Sequence, residues 1–444
     1  MTGRDFFKMG LGRLGVVSAA LVAALSLEAK FIVSQNHANA LYTAGEEAVF
    51  TVTAVDDATD KPLAAGQVCW TLDNFGSEKL GAGTADLAAG NPFTVKGTLK
   101  TDGFLRLTVS RGKESKVWGV GYDVEKIRQN EPRPVDFDAY WAAEKVRIRR
   151  EVPLDAKMTR DEKLSNKAFE VYRVNFATFN QRRVYGFLSV PADKTGAPFA
   201  FNVTVPGAGP GYVSAPGSAK TVTLAMNVHQ FEPEATAEAQ RKHMNEANAA
   251  LAAKFGLPNT GAYCALAGIA ESREAYHYHD VLLGIDRAVD WAVARDDVDK
   301  TRVGYNGSSQ GGLFGLYLAY LNPHITRAFV AVCAGTGHYA SRQNRRNGWP
   351  QLIDGQPPAK RAVAERNAAY FDGVNFAAGI KIPMRVVVGF ADMTCPPHDV
   401  YAAYNVIPVA DKEITNVIGS PHSWTSVPEG KAAGVRYKEW ILSK

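Results

Sequence analysis

The sequence predicts an α/β protein, with a mostly parallel sheet covered by helices on both faces, preceded by a small all-β sandwich of immunoglobulin type. Three observations lead to this prediction. The chain has 444 residues, too many for one ordinary core, so two domains are expected. Residues 40–124 contain short runs of alternating polarity separated by turn signals. From residue 135 onward, apolar strand-like runs alternate with helical patterns, as in a parallel sheet.

Residues 1–29 have the pattern of a signal peptide. Arg4, Lys8 and Arg13 make a positive start, residues 14–27 are almost wholly apolar, and a cleavage site fits after Ala29. The apolar segment is too short for a comfortable membrane span. We therefore expect a secreted or periplasmic protein that has no integral membrane span after cleavage. A buried or anchoring helix is the alternative interpretation.

Residues 30–125 are expected to form the β-sandwich domain. Turn signals at residues 81–83 and 101–103 separate the strand-like runs, which include AVFTVTAV, QVCWTL, FTVKGTL and FLRLTVSRG. No row of aromatic residues stands out in this region. A packing role is therefore favoured over glycan binding, and the segment 129–134 is typical of a linker.

Residues 126–444 are expected to form the α/β domain. Its predicted strands are FEVYRVNFAT, RVYGFLSVP, PFAFNVTVPG, TVTLAMNV, TRVGYNG, RAFVAVCAG, MRVVVGFAD and EITNVIG. Its predicted helices are VDFDAYWAAEKVRIRR, YHDVLLGIDRAVDWAVAR, GGLFGLYLAYLN and AAGVRYKEWIL.

Two serines stand on the turn between the strand VGYNG and the helix that follows it. The pentapeptide Gly307-Ser308-Ser309-Gln310-Gly311 matches G-x-S-x-G, with Ser309 as the central residue. In this motif the nucleophile occupies a sharp turn, and small flanking residues let the strand and the helix meet. The helix N-terminus then directs N–H groups at an oxygen that becomes negative. A glycine-rich helix cap is the alternative, but the flanking strand and helix favour a nucleophile.

An acid and a base follow the serine in the chain order that such a nucleophile requires. Asp392 follows the strand MRVVVGF, and His422 lies between the last strand and the last helix. Because parallel strands present their carboxyl ends at one sheet edge, we expect a triad of Ser309, Asp392 and His422. Their roles would be attack, orientation of the imidazole and proton transfer. A helix cap at Asp392 and a surface loop at His422 are the alternatives.

Backbone N–H groups are expected to stabilise the oxyanion. One belongs to Gln310, directly after the nucleophile, and the other to Ala208 in the loop after an early strand, with Gly209 as second choice. Trp424 lies two residues after the predicted base and is a candidate platform for a sugar ring, with a position in the core as the alternative.

The composition predicts no metal, no cofactor and no nucleic-acid partner. His277 and His279 are two residues apart, which does not suit a helix-face metal pair. The four cysteines are far apart, which suits neither zinc nor a disulfide framework, although one bridge remains open. The net charge of +5 is scattered along the chain.

From about residue 135 to the C-terminus, the chain resembles the acetyl xylan esterase and cephalosporin-C deacetylase family, carbohydrate esterase family seven. The matching segments are DFDAYW, YHYHDVLLGIDRAVDWA followed by DDVDKTRVGYNG, GSSQGG, and GFADMTCPPHDVYAAYN. The resemblance implies an α/β-hydrolase fold and metal-independent removal of acetyl groups from sugars. It assigns the nucleophile to Ser309, the acid to Asp392, the base to His422 and the second oxyanion donor to Ala208.

The chain departs from the family pattern at three places. It has VHQ at 228–230 where the family has R-G-Q, HS at 422–423 where the family has H-E, and PG at 206–207 where the family has H-G. With the added β domain, these differences indicate a divergent branch. We expect a serine esterase acting on acetylated xylan or related plant oligosaccharides. The glycan, the acetyl position, the acyl-length limit and a homo-oligomeric state remain open.

Two other functions compete with this interpretation. The first is a secreted α/β-hydrolase peptidase, but such enzymes often carry a whole propeller and the β region here is far too short for one. The second is a non-catalytic carbohydrate-binding protein on a hydrolase fold. The retention of all three triad residues argues against it.

Overall fold

The structure is a computed structural model, and it describes residues 29–209, 213–232, 234, 236–257 and 264–443. The predicted signal peptide therefore lies outside the described residues, except for Ala29, which begins the first strand. Among the described residues, no helix is both long and apolar enough to cross a bilayer.

The N-terminal region forms two sheets from short strands of alternating burial. In chain order the strands are β1 (Ala29–Gln35), β2 (Leu41–Tyr42), β3 (Ala48–Asp56), β4 (Gln67–Asp73), β5 (Lys79–Asp86), β6 (Phe93–Gly97), β7 (Gly103–Arg111) and β8 (Glu114–Tyr122). One sheet has the order β1-β3-β6 and the other β2-β8-β7-β4-β5. Inward-facing residues such as Phe50 and Val52 of the first sheet and Leu105 and Leu107 of the second are buried in one hydrophobic cluster. The region is thus a small all-β structure of two packed sheets, as the alternating pattern predicts.

The remaining strands form one nine-stranded sheet in the described part of the chain. They are β9 (Lys157–Arg160), β10 (Phe169–Ala177), β11 (Arg183–Pro191), β12 (Phe199–Val205), β13 (Thr221–Met226), β14 (Val298–Ser308), β15 (Arg327–Ala331), β16 (Met384–Gly389) and β17 (Lys412–Val417). The order is β17-β16-β15-β14-β12-β13-β11-β10-β9. The six strands from β17 to β13 are parallel, and the last three pair antiparallel. The carboxyl ends of the parallel strands therefore meet at one edge.

Helices cover the nine-stranded sheet. They are α1 (Phe137–Glu151), α2 (Ala237–Phe255), α3 (His277–Val293), α4 (Gln310–Leu321), α5 (Arg361–Ala368), α6 (Gly373–Ala377), α7 (Pro397–Val406) and α8 (Pro428–Trp440).

Alternate residues of β15 and β16 belong to different hydrophobic clusters, which shows that both faces are covered. Phe329 and Val387 pack with Tyr437 of α8. Val330 and Val386 join the large cluster that includes α3, α4 and α7. The four helices predicted from the sequence are present within a few residues of their expected bounds. The nineteen-residue helix α2 is an addition that the sequence analysis did not predict.

Candidate active site

The turn from β14 to α4 places Ser309 in a strained conformation. Its φ of 59° and ψ of −120° lie in a region that non-glycine residues seldom adopt, at a cost of about 1–3 kcal/mol. The Ser309 N–H donates to the carbonyl of Ala331 at 2.9 Å and holds the turn. A Cβ on Gly311 would lie 2.1 Å from the oxygen of Val205, and one on Gly307 would lie 2.4 Å from the oxygen of Gly311. The turn therefore requires glycine on both sides of the serine.

Three side chains from three strand ends form a continuous hydrogen-bonded chain. The Ser309 hydroxyl donates to Nε2 of His422 at 3.0 Å, and Nδ1–H of His422 donates to Oδ2 of Asp392 at 2.8 Å. The Asp392 side chain is fully buried, whereas that of His422 is 33% exposed. The predicted acid is thus kept away from water, whereas the predicted base is in contact with solvent. The arrangement can activate a hydroxyl for attack on a carbonyl carbon.

The backbone fixes the orientation of the Asp392 carboxylate. Its Oδ1 accepts hydrogen bonds from the N–H groups of Thr394 at 2.8 Å and Cys395 at 2.9 Å. Oδ2 is thereby left for His422. The short segment after β16 thus supplies both the acid and the donors that aim it.

Two side chains hold the loop after β12 near the nucleophile. Gln310 Nε2 donates to the Pro206 carbonyl at 3.2 Å, and His229 Nε2–H donates to the Gly209 carbonyl at 3.3 Å. Between these anchors, Gly207 comes so near that a Cβ on it would lie 3.8 Å from Cβ of Ser309. The Ala208 N–H lies in this loop, and the Gln310 N–H opens α4, where no intrahelical carbonyl requires it. The neighbour of Ala208 thus approaches the serine and Gln310 follows it directly, while the oxyanion role of both N–H groups stays a prediction.

Trp424 is only 8% exposed and belongs to the core, the alternative considered for it above. Its ring packs against Phe329 at 5.9 Å and against Gly434 of α8. Its indole N–H donates to the hydroxyl of Ser308 at 3.0 Å. With so little of its face exposed, Trp424 offers no platform to a sugar. The contact instead ties the loop of the base to the turn of the nucleophile.

The N-terminal sheets pack directly against the loop that carries the acid. Nη1 of Arg106 in β7 lies 2.9 Å from Sδ of Met393, beside the acid, and the same guanidinium pairs with Asp73 at 2.6 Å. Phe104 meets Phe390 edge to face, with ring centroids 5.0 Å apart. These contacts flank Asp392 on both sides, which nothing in the sequence pattern indicated.

The loop of the base also touches the N-terminal sheets. A Cβ on Gly419, three residues before His422, would lie 2.1 Å from the ring of Trp118 in β8. Only a glycine lets that indole approach the loop so closely. The N-terminal region thus contacts the segments of both the acid and the base.

A buried thiol adjoins the triad. Asp392, Cys395 and His422 carry atoms able to bind a metal ion, all within 4.8 Å of one another. Burial, and then the nearby Asp392, raise the pKa of Cys395 well above its ordinary value, so the thiol stays protonated. Both nitrogens of His422 are already used in the triad hydrogen bonds. A metal bound at these three residues would have to displace the catalytic hydrogen bonds.

The two histidines at the start of α3 have different surroundings. His279 is buried between Asp280 and Glu144 of α1, and although burial opposes its charge, hydrogen bonds to both carboxylates raise its pKa. It ties α1 to α3. His277 instead faces a cavity behind the loop of His229.

A hydrogen-bonded serine, histidine and aspartate at the ends of parallel strands is the arrangement of the α/β-hydrolases. A model of the acetyl xylan esterase (AXE1) family matches residues 122–425, which is more than half of the chain. The chain belongs to that family and is a carboxylic ester hydrolase. The resemblance inferred from the sequence motifs is thereby confirmed.

Relatives extend the similarity over most of the chain. The acetyl esterase Axe7A of Xylanibacter ruminicola is 27% identical over 425 residues, covering 93% of this chain and 91% of that protein. The similarity therefore includes the N-terminal sheets as well as the hydrolase sheet.

Solved structures confirm the fold. The acetyl xylan esterase of a Paenibacillus species superposes with a TM-score of 0.57 at 22% identity, covering 71% of this chain and 98% of that one. Acetyl xylan esterase 1 of a Thermoanaerobacterium species gives 0.55 at 20% identity, covering 72% and 98%. Nearly all of each of these chains is matched by about seven tenths of this one.

Proposed function

We propose that this protein is an exported serine esterase that removes acetyl groups from acetylated carbohydrates, xylan or related plant oligosaccharides, through an acyl-enzyme. One observation supports the mechanism above all others: Ser309, His422 and Asp392 are joined by hydrogen bonds of 3.0 and 2.8 Å at the strand ends. The family and the Xylanibacter relative support the substrate class.

The first half of the reaction transfers the acetyl group to the enzyme. Ser309 Oγ attacks the acetyl carbonyl carbon while its proton passes to Nε2 of His422, and Asp392 stabilises the imidazolium. The N–H groups of Gln310 and Ala208 bind the oxyanion of the tetrahedral intermediate. When the intermediate collapses, the sugar oxygen leaves and takes the proton from His422.

The second half repeats the chemistry with water. His422 removes a proton from a water molecule, whose oxygen attacks the acetyl-serine carbonyl. The same two N–H groups bind the second oxyanion. Collapse releases acetate and returns the proton from His422 to Ser309 Oγ.

Two further parts of the proposal concern the N-terminal segments. Residues 1–29 would direct export, as their charge and apolar pattern indicate. Residues 30–125 would act as a packing domain for the catalytic domain of residues 126–444. The contacts of Arg106 with Met393 and of Trp118 with Gly419 support this role, because they fall beside the acid and the base.

Acetate release from a panel of acetylated glycans tests the function, with Ser309→Ala compared with its neighbour Ser308→Ala. The panel contains acetylated xylo-oligosaccharides, mannan and pectin fragments. We expect Ser309→Ala to lose about 10⁶-fold in kcat. Ser308→Ala should remain active but lose about 1–3 kcal/mol of stability, because the indole N–H of Trp424 loses its acceptor.

Three results would contradict the proposal. Equal activity of Ser309→Ala and wild type would exclude the serine mechanism. Hydrolysis of aminoacyl amides without acetate release from any glycan would indicate a peptidase. Failure of a fluorophosphonate probe to label the folded protein would indicate a non-catalytic binding protein.

A further inference from the structure

A cavity of about 190 Å³ lies at the carboxyl end of β13. It is behind the loop of residues 206–209 after β12, which contains Ala208 and is called the oxyanion loop below. Side chains of the segment after β13, of the start of α3 and of α2 line it, among them His229, Gln230, His277 and Asn248. It adjoins the active site, because His229 also holds the Gly209 carbonyl of the oxyanion loop. Its volume is several times what one water molecule needs.

Three buried polar atoms at this cavity lack partners. Within the part of the chain that the structure describes, Nδ2 of Asn248, Nε2 of Gln230 and Nδ1 of His277 make no hydrogen bond. Asn248 is 5% exposed and His277 is 4% exposed. Burying an unpaired polar atom is unfavourable, so a ligand with matching hydrogen-bonding groups would offset that cost.

The three atoms define the chemistry of that ligand. The two amides are donors. His277 donates through Nε2 to the carbonyl of Val228 at 3.1 Å, which leaves Nδ1 as an acceptor. Groups that both accept and donate, such as hydroxyls, fit this set. An acetyl methyl group does not, because it would leave all three atoms unpaired.

The charges at the cavity favour a neutral ligand. Arg182 donates to Oε1 of Gln230 at 3.3 Å and lies 3.7 Å from the carboxylate of Asp280, which offsets its charge. Burial lowers the pKa of both His229 and His277 to about 4, so both rings are neutral at pH 7.

An aromatic surface completes the lining. The ring of Phe231 stacks between His229, at 5.3 Å, and His243, at 4.3 Å between centroids. Because the two histidines cover the faces of its ring, Phe231 contributes an apolar wall to the cavity and not a stacking face. Hydrogen-bonding groups beside an aromatic side chain are what one sugar ring needs.

We propose that this cavity is a subsite for one neutral sugar ring of the substrate, held through its hydroxyls by Asn248, Gln230 and His277 beside Phe231. The inference rests on the proposed function, since it takes the substrate to be a glycan. The subsite would let the enzyme recognise the glycan chain as well as the acetyl ester. Two of the residues that line it, His229 and Gln230, belong to the VHQ segment at 228–230, where the chain departs from its family's pattern.

The test compares Asn248→Ala with Asn245→Ala, an exposed residue on the same helix. For each variant, kcat/KM is measured on the best acetylated oligosaccharide and on 4-nitrophenyl acetate, which carries no sugar. For Asn248→Ala we expect the ratio of glycan to aryl acetate activity to fall about tenfold, as for one lost hydrogen bond. An unchanged ratio, as expected for Asn245→Ala, would overturn the inference and leave a water-filled cavity.

A binding measurement separates this inference from the proposed function. The inactive Ser309→Ala chain is titrated with unacetylated xylo- and manno-oligosaccharides by calorimetry, with and without Asn248→Ala. Binding that Asn248→Ala weakens about tenfold would support the subsite even if no glycan acetate were hydrolysed. No binding at millimolar sugar would overturn it even if acetate were released from glycans.

Discussion

Replacing Asp392 by asparagine tests whether the acid acts by orienting the imidazole. In the native protein Oδ1 accepts from two backbone N–H groups, of Thr394 and Cys395, and Oδ2 accepts from His422. The asparagine oxygen should replace Oδ1, because the opposite orientation would set an NH₂ group against those two donors. Losing two buried hydrogen bonds costs about 2–6 kcal/mol, at about 1–3 kcal/mol each.

The amide NH₂ must then face the histidine, with a consequence for catalysis. Nδ1 of His422 has to accept instead of donate, so Nε2 carries the proton and cannot take one from Ser309. We expect kcat/KM on an aryl acetate to fall about 10⁴-fold, equivalent to about 5.5 kcal/mol of transition-state stabilisation. This value of about 5.5 kcal/mol lies within the range of about 2–6 kcal/mol that the opposite orientation of the asparagine amide would cost. Initial rates give the loss, and ¹⁵N chemical shifts of the ring report the tautomer.

Asp399→Asn is the matched control, also fully buried and seven residues further along. Asp399 accepts from the N–H of Gly348 at 3.0 Å, and burial raises its pKa well above the ordinary value. Its carboxyl is therefore held towards the neutral form, which an amide resembles. We expect activity to remain within a few-fold of wild type.

The stability of the control also has a predicted sign. Because the folded pKa of Asp399 exceeds the unfolded one, its contribution to stability is present below pH about 4 and is lost as pH rises through the folded pKa. Asp399→Asn should therefore gain stability relative to wild type as pH rises above about 4. Full activity of Asp392→Asn, or equal losses in both variants, would refute the orientation argument.

Two other substitutions test the surroundings of the triad. Arg106→Met removes the ion-pair partner of the largely buried Asp73, which keeps only the hydrogen bond from the Phe75 N–H. We expect about 2 kcal/mol lower stability in denaturant unfolding and a fall in kcat larger than any rise in KM. The control Lys96→Met breaks an exposed ion pair with Glu47 and should lower stability by at most about 1 kcal/mol. Equal effects of Arg106→Met and Lys96→Met would contradict the idea that Arg106 supports the loop of the acid. Gly311→Ala should abolish activity, because its Cβ would lie 2.1 Å from a carbonyl oxygen. The control Gly207→Ala, whose Cβ would have contacts of 3.7 Å, should keep the native melting temperature. A folded and active Gly311→Ala variant would disprove the steric argument.

The helix α2 shows where periodicity is a poor guide. The cap signals were present, since Thr236 accepts from the N–H of Ala239 and Gly256 ends the helix with a φ of 65°. The buried face, however, consists of Gln240, Met244 and Asn248, of which two are polar. A search for apolar residues at helical spacing cannot find such a face. Its polar character becomes understandable only beside the cavity that Asn248 lines.

The position of Trp424 shows a second limit. It lies two residues after the predicted base, which suggested a role in substrate binding. The structure turns the ring into the core instead, against α8 and the hydroxyl of Ser308. Nearness in sequence says nothing about the side to which a loop residue points.

The sequence by itself determined most of the strands, four of the eight described helices and the turns that carry Ser309, Asp392 and His422. Polarity patterns and glycine motifs are local, and parallel strands end at a common edge. Only the tertiary structure decided the support of the acid loop by Arg106, 287 residues away from Met393 in the chain. It also decided the cavity beside the oxyanion loop. Both arise from side chains that packing brings together across the chain, and a local pattern carries no information about such contacts.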